Sequence, residues 1–101
     1  MKEIHVQFLS FEGCPLADAA RAELERAISK CGIDGYEEID LLAEGAPGEL
    51  AGWGSPTILI NGVDVCGQPK GHNVGCRIYP GPERVPPSDA IIASISHQRA
   101  S

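Results

Sequence analysis

Lysine and arginine never cluster in this sequence, and that absence excludes a first class of partners. They number 8 against 14 aspartates and glutamates, for a formal net charge of −6, whereas nucleic acid and anionic membrane surfaces are bound through grouped cations. No nucleic-acid or membrane partner is expected. No run approaches the ~20 apolar residues of a membrane span. The start of the chain, MKEIHVQFLS, has an apolar stretch too short and too interrupted by charge for a signal peptide. A cytoplasmic protein follows, and in that reducing compartment the four cysteines read as thiols, metal ligands or redox groups rather than permanent staples. Also missing are a nucleotide-binding loop, a paired-carboxylate site, a Ser/His/Asp set and any internal repeat. With 101 residues, the stretch 1–101 reads as a single domain with one core. The absence that bears most on function is at position 17. Cys14 opens no Cys-x-x-Cys motif, because Ala17 stands where the second sulfur would be.

What is present is a regular alternation of short elements. Ile4, Val6 and Phe8 alternate with His5 and Gln7, predicting a strand over residues 4–10 that ends in a glycine turn at Gly13. Leu16, Ala20, Leu24, Ala27 and Cys31 recur at spacings of three and four, with Asp18 early and Arg26 and Lys30 late; this predicts an amphipathic helix over 15–30, stopped by Gly32. Residues 36–41 read as a second strand, and residues 42–54 as a weak helix or a loop. Thr57-Ile58-Leu59-Ile60, Asn61-Gly62 and Val63-Asp64-Val65 predict an antiparallel hairpin, because Asn-Gly accepts the positive φ values of a type I′ turn. A glycine-rich loop (66–75), a brief extended segment (76–79) and a proline-rich stretch (80–87) follow. Ser88 reads as the N-cap of a last helix that turns Ile91, Ile92 and Ile95 inward. The fold class is α/β, a mixed four-stranded sheet built as β-α-β and then β-hairpin-α, with flanking helices.

Cys14-Pro15 falls where the first strand meets the first helix, and Ser55-Pro56 falls just ahead of the hairpin. A cysteine at a helix N-terminus meets unpaired N–H groups and the positive end of the helix dipole, which favour thiolate over thiol. Proline suits the following position, where a missing N–H costs nothing. The alternative is an inert apolar filler, the common fate of a lone cysteine.

Element order and these two prolines together resemble the thioredoxin-like superfamily, in particular its glutaredoxin-like branch. Phe11-Glu12-Gly13-Cys14-Pro15 looks like the nucleophile segment, and the run from Gly54 to Gly62 like the cis-proline segment with its hairpin. More narrowly, GCP, GSPTILINGVDV and CRIY are similar to small bacterial thioredoxin-like proteins loosely labelled as alkylmercury-lyase related. The resemblance implies a thioredoxin-like fold. It also implies a cis Ser55-Pro56 bond whose Ser55 N–H and carbonyl offer a strand-like edge to a thiol substrate at Cys14. Ala17 departs from the dithiol pattern of ordinary disulfide reductases.

Three readings of function follow, none calling for a cofactor. Cys14 performs thiol-disulfide exchange, as a possible oxidoreductase working by a monothiol or a Cys14-Cys76 route; or it binds a soft metal ion such as mercury with Cys66 or Cys76; or the domain is a non-catalytic interaction module. Exchange needs a resolving thiol, for which glutathione or another small thiol, Cys66 and Cys76 are the candidates. Cys31 is removed by geometry: 17 residues along one helix is about 25 Å, and a disulfide needs Cα atoms within ~7 Å. Cys76, beside Arg77, has a cation that favours its thiolate. Cys66 and Cys76 bracket a loop holding Lys70 and His72, but their spacing lacks the short ligand pairs of zinc motifs. Trp53 reads equally as core and as a wall of the groove beside Cys14, with Ser55 and Pro56 as the substrate-binding edge. His5, His72 and His97 read as solvated, and Glu37, Glu38 and Asp40 as ordinary polar positions.

Overall fold

The computed structural model describes residues 3–43, 53–67 and 85–100. The expectations for residues 44–52 and 68–84, which include Lys70, His72, Cys76 and Arg77, lie outside these. Element order is β1 (Val6–Ser10), α1 (Ala17–Lys30), β2 (Glu37–Asp40), β3 (Thr57–Ile60), β4 (Val63–Asp64) and α2 (Ser88–Ala100). The sheet order is β2-β1-β3-β4. β1 and β2 run parallel, while β1 with β3 and β3 with β4 are antiparallel. This is the small α/β architecture that the sequence implies, with a mixed four-stranded sheet and two helices among the described residues.

The pleat sorts β1 into two faces. Val6 and Phe8 join Leu24 and Ala27 of α1, Ile58 and Ile60 of β3, and Ile91 and Ile95 of α2 in the larger core. Leu9 points the other way and joins Leu41 and Leu59, with Phe11 and Trp53 packed against them. β3 is therefore buried on both faces, all four of its residues being inside, which is why TILI is a continuous apolar run rather than an alternating one. The hairpin forms as expected: Asn61 and Gly62 have φ of 53° and 83°. The Asn61 side-chain carbonyl also accepts from the His5 N–H at 2.7 Å, pinning the turn to the start of β1.

α1 ends in a Schellman arrangement, with Ile33 N–H donating to Ile28 and Gly32 N–H to Ser29, so the Gly32 stop is where the sequence puts it. Two helix starts differ from expectation. α1 begins at Ala17 rather than Pro15, behind an N-cap, Leu16, that makes no side-chain hydrogen bond. No Ser, Thr, Asp or Asn stands there to cap, and two successive turns bring the chain in instead. In α2, Ser88 is inside the first turn rather than the cap. The Pro87 carbonyl accepts from Ala90 and Ile91, and the Ser88 N–H faces Glu23 of α1 at 3.4 Å.

Candidate functional site

Cys14 is set by two hydrogen-bonded turns. Its N–H donates to the Phe11 carbonyl (3.2 Å), and its own carbonyl accepts from the Ala17 N–H (3.3 Å). The first turn needs a positive φ at its third residue, which Gly13 supplies at 89°, a value that side-chain-bearing residues rarely adopt. Pro15 follows within the second turn. It is thus the Cys14 carbonyl, not a helical N–H of its own, that joins this residue to the start of α1. The residue is half-buried and packs against the larger core.

A cleft of about 490 Å³ opens here, lined by residues 10–14, Ala17, Asp18, Arg21, Glu38 and Asp40. It lies off the carboxyl ends of the two parallel strands, the usual place for ligands in open α/β sheets. The register explains its walls. Glu38 pairs with Phe8 and Asp40 with Ser10, so both carboxylates share the sheet face that carries α1, whose Arg21 reaches across to Glu38. The Arg21 guanidinium forks onto Glu38, Nε to Oε1 at 3.0 Å and a terminal N–H to Oε2 at 3.1 Å, and gives a further bond of 2.8 Å to Asp18. It also stacks 5.2 Å from the centroid of the Phe8 ring. The Glu38 hydrogen bonds, ahead of the Coulomb attraction, raise its already high pKa. Behind it Tyr36 meets Phe8 edge-to-face and donates to Glu25 at 3.0 Å. Burial first, then that bond, raises the Tyr36 phenol above its ordinary value.

The segment ahead of β3 sits at the same end of the sheet. Val6 to Leu9 pair with Ile60 to Thr57, so the chain ahead of Thr57 lies at the end of β1 that runs on to Phe11 and Cys14. Ser55-Pro56 is cis. The Thr57 hydroxyl lies 2.9 Å from the Gly54 carbonyl and 3.0 Å from that of Trp53, holding this corner closed. Ser55 is fully buried, and its hydroxyl has no hydrogen-bond partner among the described residues. Trp53 packs with Leu9, Leu41 and Leu59. Trp53, Ser55 and Pro56 are not among the residues that line the cleft.

The other cysteines are distributed as follows. Cys31 is half-buried as the C-cap of α1, at the opposite end of that helix from Cys14, and its carbonyl accepts from Arg99 at 3.0 Å. Cys66 is exposed in the turn after β4, its N–H donating to Asp64 at 2.9 Å. Cys76 lies outside the described residues. Among the described residues no three His, Cys, Asp or Glu side chains converge as metal ligands, and no helix is long and apolar enough to cross a membrane. Arg21, Asp18, Glu38 and Asp40 were not singled out by the sequence. The available signal was the Asp18/Arg21 spacing of three on one helix face, which says nothing of β2. Compared with family models, curated proteins and solved structures, the chain matches none.

Proposed function

We propose that this is a thioredoxin-like thiol protein whose Cys14 carries out thiol-disulfide exchange. The observation that carries the reading is the pair of turns from Phe11 to Ala17, which fixes a half-buried sulfur at the mouth of a cleft beyond the ends of two parallel strands. The antiparallel pairing of β1 with β3 supports it, because it brings the cis Ser55-Pro56 corner to the end of the sheet from which the Cys14 turns start.

In the reaction the Cys14 thiolate attacks one sulfur of a disulfide. The substrate S–S bond breaks, a Cys14 mixed disulfide forms, and the other sulfur departs as thiolate and takes a proton from water. A second thiol then attacks the mixed disulfide and returns Cys14 to its thiolate, so that thiol supplies the two electrons. Cys76 or a small free thiol fills this role; Cys31, at the far end of α1, does not. The soft-metal reading instead requires Cys14 to share an ion with Cys66 or Cys76.

Mild oxidation followed by peptide mapping tests the proposal. An intramolecular disulfide from Cys76 to Cys14 is expected, and in Cys76→Ser a Cys14 mixed disulfide with the added small thiol should accumulate. If Cys14 stays free under both conditions, exchange is the wrong chemistry and the metal-binding or interaction reading takes its place.

A further inference from the structure

The cleft that holds Cys14 has an unbalanced charge. Glu12, Asp18, Glu38 and Asp40 line it, and Arg21 is the one cationic side chain of the described residues that does. That guanidinium is already committed, forked onto Glu38 and bonded to Asp18, with its central carbon over the Phe8 ring. Among the described residues, a carboxylate-bearing substrate entering the cleft would find no unengaged cation and would have to displace Glu38 or Asp18 from Arg21 to reach one. A substrate bearing ammonium or guanidinium groups meets carboxylates instead. In a concave site walled by protein the field of such a set is focused rather than fully screened.

We propose that the Cys14 site selects disulfides flanked by cationic groups, such as small diamine disulfides or cystines in basic peptide segments, and discriminates against anionic ones, glutathione disulfide included. The inference rests on Cys14 being the exchanging thiol and adds the substrate class. The chemical step is the one above: the cationic disulfide loses its S–S bond, one half remains on Cys14, and the other leaves as a protonated thiol. What the carboxylates change is the local concentration of reagent and the rate of attack, not the electron balance.

Three disulfides of similar size separate the possibilities: cystamine (two ammonium groups), 2-hydroxyethyl disulfide (neutral) and dithiodiglycolate (two carboxylates). The rate of Cys14 adduct formation with each is read by mass spectrometry on the full chain, and divided by that reagent's rate with N-acetylcysteine amide. At about 0.02 M salt the normalised cystamine rate should exceed the dithiodiglycolate rate by roughly tenfold or more, and the ratio should fall toward unity at 1 M salt, where screening acts within ~3 Å. Glu12→Lys, in an exposed turn position, should cut the ratio about threefold and Glu12→Gln by less, the salt series on the unaltered chain serving if either variant folds poorly. A ratio near one, or one favouring the dianion, with Cys14 still outpacing Cys31 toward the neutral reagent, overturns the substrate class and leaves exchange standing. If Cys14 is no faster than Cys31 with any of the three, exchange itself fails and the substrate class with it.

Discussion

The backbone N–H of Cys14 donates to the carbonyl of Phe11 at 3.2 Å, and the φ of +89° at Gly13 is what lets the chain fold back far enough to do so. The position of the thiol thus depends on a residue without a side chain. A Cβ at Gly13 would meet nothing within 4 Å, so the cost of Gly13→Ala is one of backbone conformation alone, about 1–2 kcal/mol. Urea denaturation should report that loss. The alkylation rate of Cys14 should change while that of Cys31 does not; unchanged rates at both would mean that the turn does not set the thiol.

Ser55 gives a prediction of opposite sign. Its hydroxyl is buried and unpaired among the described residues, so removing it discards a desolvation penalty and no hydrogen bond. Ser55→Ala should be neutral or stabilising by up to about 1 kcal/mol, against the ~1 kcal/mol loss typical of point substitutions. A thermal melt decides it, and a clear drop in Tm would mean that this hydroxyl has a partner.

Arg21 and Glu38 join α1 to β2 through a fork that lysine cannot reproduce. Both side chains are partly exposed, at 30% and 46%, so the expected cost of Arg21→Lys is small, about 0.5–1 kcal/mol. The loss should shrink in high salt. A salt-independent loss would point to the packing of the Arg21 stem on Phe8 rather than to charge.

Tyr36 fixes a pH dependence. Its pKa is raised in the folded state, by burial and then by the bond to Glu25, so the folded form holds its phenolic proton where the unfolded chain has begun to lose it. The contribution to stability is complete below the free tyrosine value of ~10 and is lost as pH rises through the higher folded one. Tyr36→Phe should lower stability at neutral pH and flatten its decline above about pH 10. An equally steep decline in the variant would remove Tyr36 as the cause.

The fold was legible where patterns are local. Asn61-Gly62 specifies its turn without help from the rest of the chain, Gly32 ends α1, and the uninterrupted apolar run of Thr57–Ile60 marks a strand covered on both faces. The helix starts were harder to read. Leu16 and Pro87 are poor cues, because in each case a backbone carbonyl in a turn, not a capping side chain, begins the helix. The cleft was only half legible. Cys14 stands out by its place between strand and helix, but Glu38 and Asp40 looked like solvated strand residues. Only the parallel pairing of Phe8 with Glu38 and Ser10 with Asp40 turns them toward α1, and that register is a long-range property.

Cys14 and Cys31 form a natural matched pair for the central claim, since both are half-buried and border the same core. The native chain is exposed at neutral pH to a neutral disulfide, 2-hydroxyethyl disulfide, and adducts at each cysteine are counted over time by peptide mapping, with the urea-unfolded chain as reference. Exchange at the Phe11–Ala17 turns predicts that Cys14 acquires its adduct at least tenfold faster than Cys31 in the folded chain, and that the two become equal once unfolded. Equal rates in the folded chain would contradict the account, leaving Cys14 as an ordinary half-buried thiol.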